Sequence, residues 1–163
     1  MVSDAALQAR AEQAAATVVD PEIPVLTIAD LGVLRSVTVQ DGVVDVTITP
    51  TYSGCPAMSM IAVEIDLALQ RAGIAHARVR TVLAPAWTTD WLSEAGRRKL
   101  RDYGIAPPIP GSSRRALFGK TTVPCPRCGS EDTRVLAEFG STSCKALWQC
   151  QACREPFDYF KCH

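Results

Sequence analysis

The sequence predicts an α+β fold, a small three-stranded sheet with helices, followed by a linker and a small zinc-ribbon module. Three observations predict it. Asp41-Gly42 is a two-residue hairpin signal between alternating apolar runs, helical apolar spacing lies on either side of that hairpin, and two CxxC pairs stand close together near the end of the chain.

The elements follow in order. Asp4 can cap a helix running to about Val18, with Leu7, Ala11, Ala14 or Ala15, and Val18 on one face. Asp20-Pro21 and Pro24 end it. From Val33 to Pro50 the pattern switches to period two. A two-residue loop at Asp41-Gly42 pairs Val39 with Val44 and Val37 with Val46, which puts these four and Ile48 on one face. The loop Thr51-Tyr52-Ser53-Gly54 leads to Cys55-Pro56, where Pro56 suits the first position of a helix. Met58, Ile61, Ile65, Leu69 and Ala72 then recur at helical spacing until Gly73 stops them. A third strand is expected over Ala77 to Leu83, and a second capped helix from Thr89 or Asp90 to Tyr103, before Gly104. The order is α-β-β-α-β-α. Prolines 107, 108 and 110 with Gly111 and two serines mark a linker. The expected organisation is a domain over 1–106, a linker over 107–123 and a ribbon over 124–163.

The totals narrow the function classes. At 163 residues the chain suits one ordinary domain plus a small module. Seventeen acidic and seventeen basic residues balance, so no global charge favours nucleic acid or an anionic membrane. Met1 to Val19 is interrupted by Asp4, Arg10 and Glu12 and lacks the apolar run of a signal peptide; no run is long enough to span a bilayer. The expectation is a cytoplasmic protein, in which seven cysteines read as metal-binding or thiol-reactive and not as disulfides.

Cys125-Pro126-Arg127-Cys128 and Cys150-Gln151-Ala152-Cys153 make the strongest chemical signal. Two CxxC knuckles place four thiolates at a structural Zn²⁺ site, with Cys125, Cys128, Cys150 and Cys153 as ligands. Four thiolates suit iron as well; the absence of a redox need favours zinc. The gap of about 21 residues between the knuckles is long for such a site, and a two-stranded ribbon can fill it. Gly129, directly after the first knuckle, suits a backbone position with φ > 0. The second knuckle has Arg154 there and is the less standard half. Cys144 falls inside the gap and Cys162 lies near the chain end; either could be a further ligand or a labile thiol.

Cys55 is placed as a reactive thiol would be, at the expected N-terminus of a helix, where the dipole and free N–H groups favour a thiolate. The alternative is a small buried apolar residue closing the helix. His76, after the helix, reads as a surface residue and gives no cysteine-protease pairing. Asp20, Glu22 and Asp30 could face Cys55 across the end of the sheet as hard ligands or proton acceptors; read alone, they are turn-formers. Trp87, Trp91 and Trp148 read as packing or interface residues.

With these residues laid out, the chain resembles the PaaD family of bacterial phenylacetyl-CoA epoxidase systems over nearly its whole length. Its N-terminal part resembles the SufT-type iron–sulfur maturation domain through Asp20-Pro21-Glu22-Ile23-Pro24, Asp30-Leu31-Gly32, and Thr49-Pro50-Thr51-Tyr52-Ser53-Gly54-Cys55-Pro56-Ala57. Its C-terminal part is similar to the PaaD ribbon through Cys125-Pro126-Arg127-Cys128-Gly129, the stretch from Phe139 to Ala146, and the stretch from Glu155 to Cys162. The resemblance implies a role in phenylacetate catabolism, as an accessory of a multicomponent oxygenase and not the holder of its di-iron site. It implies help in maturing or inserting an iron–sulfur cluster, with the iron–sulfur flavin reductase of the oxygenase as client. The family's cysteine maps onto Cys55 and its acidic residue onto Asp20 or Glu22. A transient cluster needs four ligands, so one thiolate implies sharing across a homodimer, recruitment of Cys144 or Cys162, or ligands lent by the client. The rival reading is a non-catalytic adaptor subunit that uses the ribbon as a docking module. A nucleic-acid binder is weaker, resting on Arg114, Arg115 and Lys120 alone, and a thiol–disulfide oxidoreductase is weaker still, because the CxxC pairs do not stand at a strand-to-helix turn.

Overall fold

The computed structural model describes residues 3–109 and 122–161. The chain forms two compact units, residues 1–87 and 88–163.

The first unit opens with α1 (Asp4–Ala16), capped by the Ser3 hydroxyl, which accepts from the Ala6 N–H. Its buried face carries Ala11 and Ala15, and Val18 just beyond is buried too. A one-turn helix, α2 (Ile28–Leu31), follows. Thr27 and Asp30 cap it reciprocally: Asp30 N–H donates to Thr27 Oγ1 at 3.0 Å and Thr27 N–H to Asp30 Oδ2 at 3.1 Å. Strands β1 (Leu34–Gln40) and β2 (Val43–Ile48) make the expected hairpin, with Val39 opposite Val44 and Val37 opposite Val46. Its turn takes positive φ at both Asp41 (52°) and Gly42 (75°), the backbone that matches strand twist in a two-residue loop. Helix α3 (Met58–Arg71) then returns the chain to β3 (Ala77–Thr81), which runs parallel to β2 with Val46 opposite Val79. The sheet order is β1-β2-β3. Helix α1 packs on β1 and α3, and α3 on β3. The core of the unit is apolar by period: Val44, Val46 and Ile48 of β2 and Ile61, Ile65 and Leu69 of α3 are all essentially inaccessible to water. Trp87 closes the unit, buried, with its ring N–H donating to the Leu31 carbonyl at 2.8 Å.

The second unit begins with a 3-10 turn (Thr89–Trp91) and α4 (Glu94–Tyr103). Sequence periodicity reads these as one helix. The break falls at Leu92-Ser93, because the Ser93 hydroxyl caps a new helix by accepting from Gly96 N–H at 2.9 Å. Gly104 ends α4 in the left-handed conformation. Strands β4 (Ile105–Ala106), β5 (Thr133–Ala137), β6 (Lys145–Cys150) and β7 (Pro156–Phe160) form a second sheet in the order β4-β7-β6-β5. The two-stranded ribbon expected from the knuckle spacing is therefore a four-stranded sheet.

The grouping of residues 88–106 also differs from the boundary expected at 106. Strand β4 pairs with β7, Ile105 opposite Asp158 and Ala106 opposite Tyr159, so the backbone groups of β4 are satisfied by the ribbon. Ala106 joins Val123, Ala146, Phe157 and Tyr159 in the ribbon's buried cluster. Of the expected linker, Val123 is thus core, whereas 110–121, including Arg114, Arg115 and Lys120, lie outside the described residues, as does Cys162. Among the described residues no helix is long and apolar enough to cross a membrane.

Candidate functional site

Two cysteine sites stand in separate units. In the second unit, the first knuckle turns at Cys125–Gly129, where Gly129 N–H donates to the Cys125 carbonyl at 2.9 Å and Gly129 takes φ 76°. The second turns at Cys150–Arg154, where Arg154 takes φ 66° in the place that glycine fills in the first. Gln151 N–H donates to the Asp132 carbonyl at 2.8 Å and ties the second knuckle to the segment that leads from the first into β5.

The four sulfurs of Cys125, Cys128, Cys150 and Cys153 all lie within 4.8 Å of one another. Cys125 Sγ stands 3.8 Å from Cys153 Sγ, and Cys128 Sγ 3.5 Å from Cys150 Sγ. A tetrahedral ion with bonds of about 2.3 Å sets its sulfurs about 3.8 Å apart, so the donor set and its spacing fit Zn²⁺. The charge pattern asks for a cation. The backbone N–H of Cys153 leads in pulling Cys150 down to about 7. The Glu155 N–H pulls on Cys153 also, but burial and the sulfurs of Cys150, Cys128 and Cys125 push it up to about 12. The cluster accepts one thiolate readily and resists the next, a conflict that a dication removes. Cys144 is not one of these donors. It is six residues from Cys150 at the other end of β6, a span of about 20 Å in extended chain, and its buried Sγ lies 3.1 Å from Thr142 Oγ1.

Cys55 is the sole cysteine of the first unit. It lies half-buried in the turn between β2 and α3, its N–H donating to the Tyr52 carbonyl at 3.1 Å. The helix starts at Met58, so Pro56 stands ahead of its first turn and not at its first position. The expected thiolate preference is also reversed. Burial pushes the Cys55 thiol up; the Ala57 N–H pulls it down; Glu22, then Asp20, push it up again, and the Thr51 side chain pulls weakly the other way. The result is a thiol held protonated above its ordinary range.

The acidic residues divide. Asp20 and Glu22 act on Cys55 as charges, so the structure brings these two segments together. Asp20 also does turn work: it is 8% exposed, and Oδ1 accepts from Glu22 N–H at 2.8 Å and Ile23 N–H at 2.9 Å. Asp30 is absorbed by the α2 cap. His76 is exposed. Thr51, next to the thiol, was not singled out by sequence reasoning, although it lies in the same string as Cys55.

Comparison with known proteins agrees with this division. Residues 110–161 match the family described as the PaaD zinc beta ribbon domain, and residues 8–83 the family described as iron-sulfur cluster assembly protein. The chain is 51% identical over 143 residues to an Escherichia coli (strain K12) protein, the D component of a "Putative 1,2-phenylacetyl-CoA epoxidase", covering 88% of this chain and 86% of that one. It is 36% identical over 86 residues to the Porphyromonas gingivalis "Fe-S protein maturation auxiliary factor", covering 52% and 81% respectively. Among solved structures, a DUF59 domain of unknown function from Bacillus anthracis superposes with a TM-score of 0.56 at 24% identity, over 60% of this chain and 93% of that one, a likeness of fold.

Proposed function

We propose, from the premise that this chain belongs to the PaaD family, the D components of phenylacetyl-CoA epoxidase systems, that it is an accessory of that oxygenase system. In this reading it helps to mature or insert an iron–sulfur cluster through Cys55, and the client is the system's iron–sulfur flavin reductase. The observation that carries the reading is the meeting of Cys55 with Asp20 and Glu22 in the unit that matches iron-sulfur cluster assembly proteins.

The chemistry follows from the charges. A thiol flanked by carboxylates stays protonated and inert toward anionic or neutral electrophiles. An iron centre reverses the balance: its positive charge stabilises the thiolate, the proton leaves to solvent or to a neighbouring carboxylate, and a sulfur–iron bond forms. Asp20 and Glu22, which disfavour the bare thiolate, then favour the cation. One thiolate leaves the cluster incompletely held, so its remaining ligands come from the client or a second copy, which suits handover over storage. Zn²⁺ at Cys125, Cys128, Cys150 and Cys153 would hold the ribbon fold and supply no redox chemistry.

The test is metal and sulfide content of anaerobically purified protein, with the reductase matured beside wild type or Cys55→Ala. Both forms should keep about one zinc per chain, and only wild type should restore cluster content in the client. Full client activity with Cys55→Ala would refute the role. A stable, stoichiometric oxygenase complex indifferent to Cys55 would instead establish the adaptor reading.

A further inference from the structure

The surface of the first unit is not uniform. Its exposed large apolar side chains, among the described residues, are Val19, Met60, Val63 and Leu83, each between 46% and 60% exposed. All four lie toward the end of the unit that carries Cys55. Val19 adjoins Asp20, in the segment that meets the thiol. Met60 is in the first turn of α3, soon after Cys55, and Val63 is its neighbour one turn on. Leu83 follows Val82, whose N–H donates to the carbonyl of Ile48, where β2 ends and the chain runs on to the Cys55 turn. Apolar side chains scattered singly over a surface need no explanation, but a set collected at one end does.

The charges sort the same way. Residues 1–87 carry nine acidic and five basic side chains. Asp20 and Glu22 act on Cys55, and the exposed Glu64 and Asp66 flank Met60 and Val63 on either side of the helix. Arg35 stands against them, next to Leu34, which is opposite Ile48. The other cations are placed elsewhere. Arg80 lies 3.7 Å from Asp45, Arg78 stands opposite Asp45, Arg71 closes the far end of α3, and Arg10 shares α1 with Asp4 and Glu12. The Cys55 end is an apolar surface with an acidic rim, the make-up of a protein-binding patch.

We propose that this end docks the client, and that the client presents a surface with an apolar centre ringed by lysine or arginine. The inference rests on the reading that Cys55 handles a cluster, and it names what the recipient must offer. A second copy of this chain does not fit. A two-fold that brought two Cys55 thiols to one cluster would set both acidic rims face to face, and like charges across an interface repel. An antiparallel pairing of α3 with itself relieves the repulsion by setting Glu64 near Arg71, but it carries the two Cys55 turns to opposite ends of the helix pair. A basic-rimmed client is attracted instead, which speeds encounter and weakens with salt. Seated there, it meets Cys55 and can supply the ligands that one thiolate lacks.

Calorimetric titration of the full-length, zinc-loaded protein with the cluster-free iron–sulfur flavin reductase, at low and at high ionic strength, tests it. Wild type should bind saturably, and more weakly at high salt. The double variant Met60→Ser, Val63→Ser and the single variant Glu64→Lys should each weaken binding at least about tenfold at low salt. These side chains are exposed, so zinc content and the urea midpoint should not move. Cys55→Ala should bind like wild type. No saturable binding, α3 variants that bind like wild type, or an affinity indifferent to salt would each overturn the docking face. So would another occupant: a wild-type dimer in sedimentation that the double variant dissociates, or Met60 and Val63 methyl groups shielded from a soluble paramagnetic probe in the protein alone. Restoration of the client's cluster is scored in parallel. Maturation kept by the α3 variants and lost with Cys55→Ala refutes the docking face and keeps the thiol's role. Binding that depends on α3 with maturation indifferent to Cys55 refutes the thiol's role and keeps the docking face.

Discussion

Replacing Asp20 should separate its two roles, the turn it builds and the charge it places beside Cys55. Asp20→Ala leaves two backbone donors without acceptors, of which the Ile23 N–H is buried. A buried orphan donor costs about 1–3 kcal/mol and a part-buried one less, so the first unit should lose about 2–4 kcal/mol. Asp20→Asn keeps an oxygen in place and gives up only charge assistance, about 1 kcal/mol. Urea titration followed on the amide signals of Val44 and Val46 measures the loss for the first unit alone; at about 1–2 kcal/mol per molar, Asp20→Ala should lower the midpoint by about 1–4 M. Glu22→Gln is the complementary probe, because it leaves both bonds to Asp20 Oδ1 intact and removes one negative charge that acts on Cys55. The Cys55 pKa should fall, and alkylation by iodoacetamide at neutral pH should accelerate, less so at high salt. The pH dependence has a definite sign. A thiol whose pKa is raised by folding contributes stability that is complete below the unfolded value and lost as pH rises through the folded one. Wild type should therefore lose stability above its ordinary thiol value of 9.0, and Cys55→Ala should not lose that part. Equal midpoints for Asp20→Ala and Asp20→Asn, or unchanged alkylation in Glu22→Gln, would refute the reasoning.

Two further outcomes bear on the frame around the sites. Cys150→Ser should abolish zinc retention and collapse the amide dispersion of the second unit, read by metal analysis and NMR, because the metal supplies much of the folding energy of so small a cluster. Trp87→Phe should destabilise the first unit by about 1–3 kcal/mol in the same urea titration, since it orphans the buried Leu31 carbonyl.

Where the sequence carried a local rule, the fold was legible in it. The hairpin register follows from Asp41-Gly42 and a period of two, and the structure has the same pairs. Ile61, Ile65 and Leu69 face the core as their spacing requires, and the knuckles with Gly129 carry their geometry within a few residues. What depends on non-local pairing was not legible. Nothing in Ile105-Ala106 shows that they pair with a strand some fifty residues on, and the prolines after them read as an ordinary linker. The Cys55 electrostatics were misjudged for the same reason. A helix-start rule weighs only neighbours in sequence, whereas burial and Glu22, from another segment, decide the sign.

The pairing of β4 with β7 has a practical consequence for anyone dividing this chain. Cleavage or truncation between residues 107 and 123, where the prolines invite it, would strip β7 of its neighbour and bare a row of unpaired N–H and C=O groups. That edge is an invitation to intermolecular strand addition and precipitation. A fragment starting at Thr88 keeps the edge covered and takes Ala106 with it. The two families that match the chain leave residues 84–109 between them. The compact unit that holds the ribbon nonetheless takes in that interval from Thr88 onward, and so extends further upstream than its cysteines suggest.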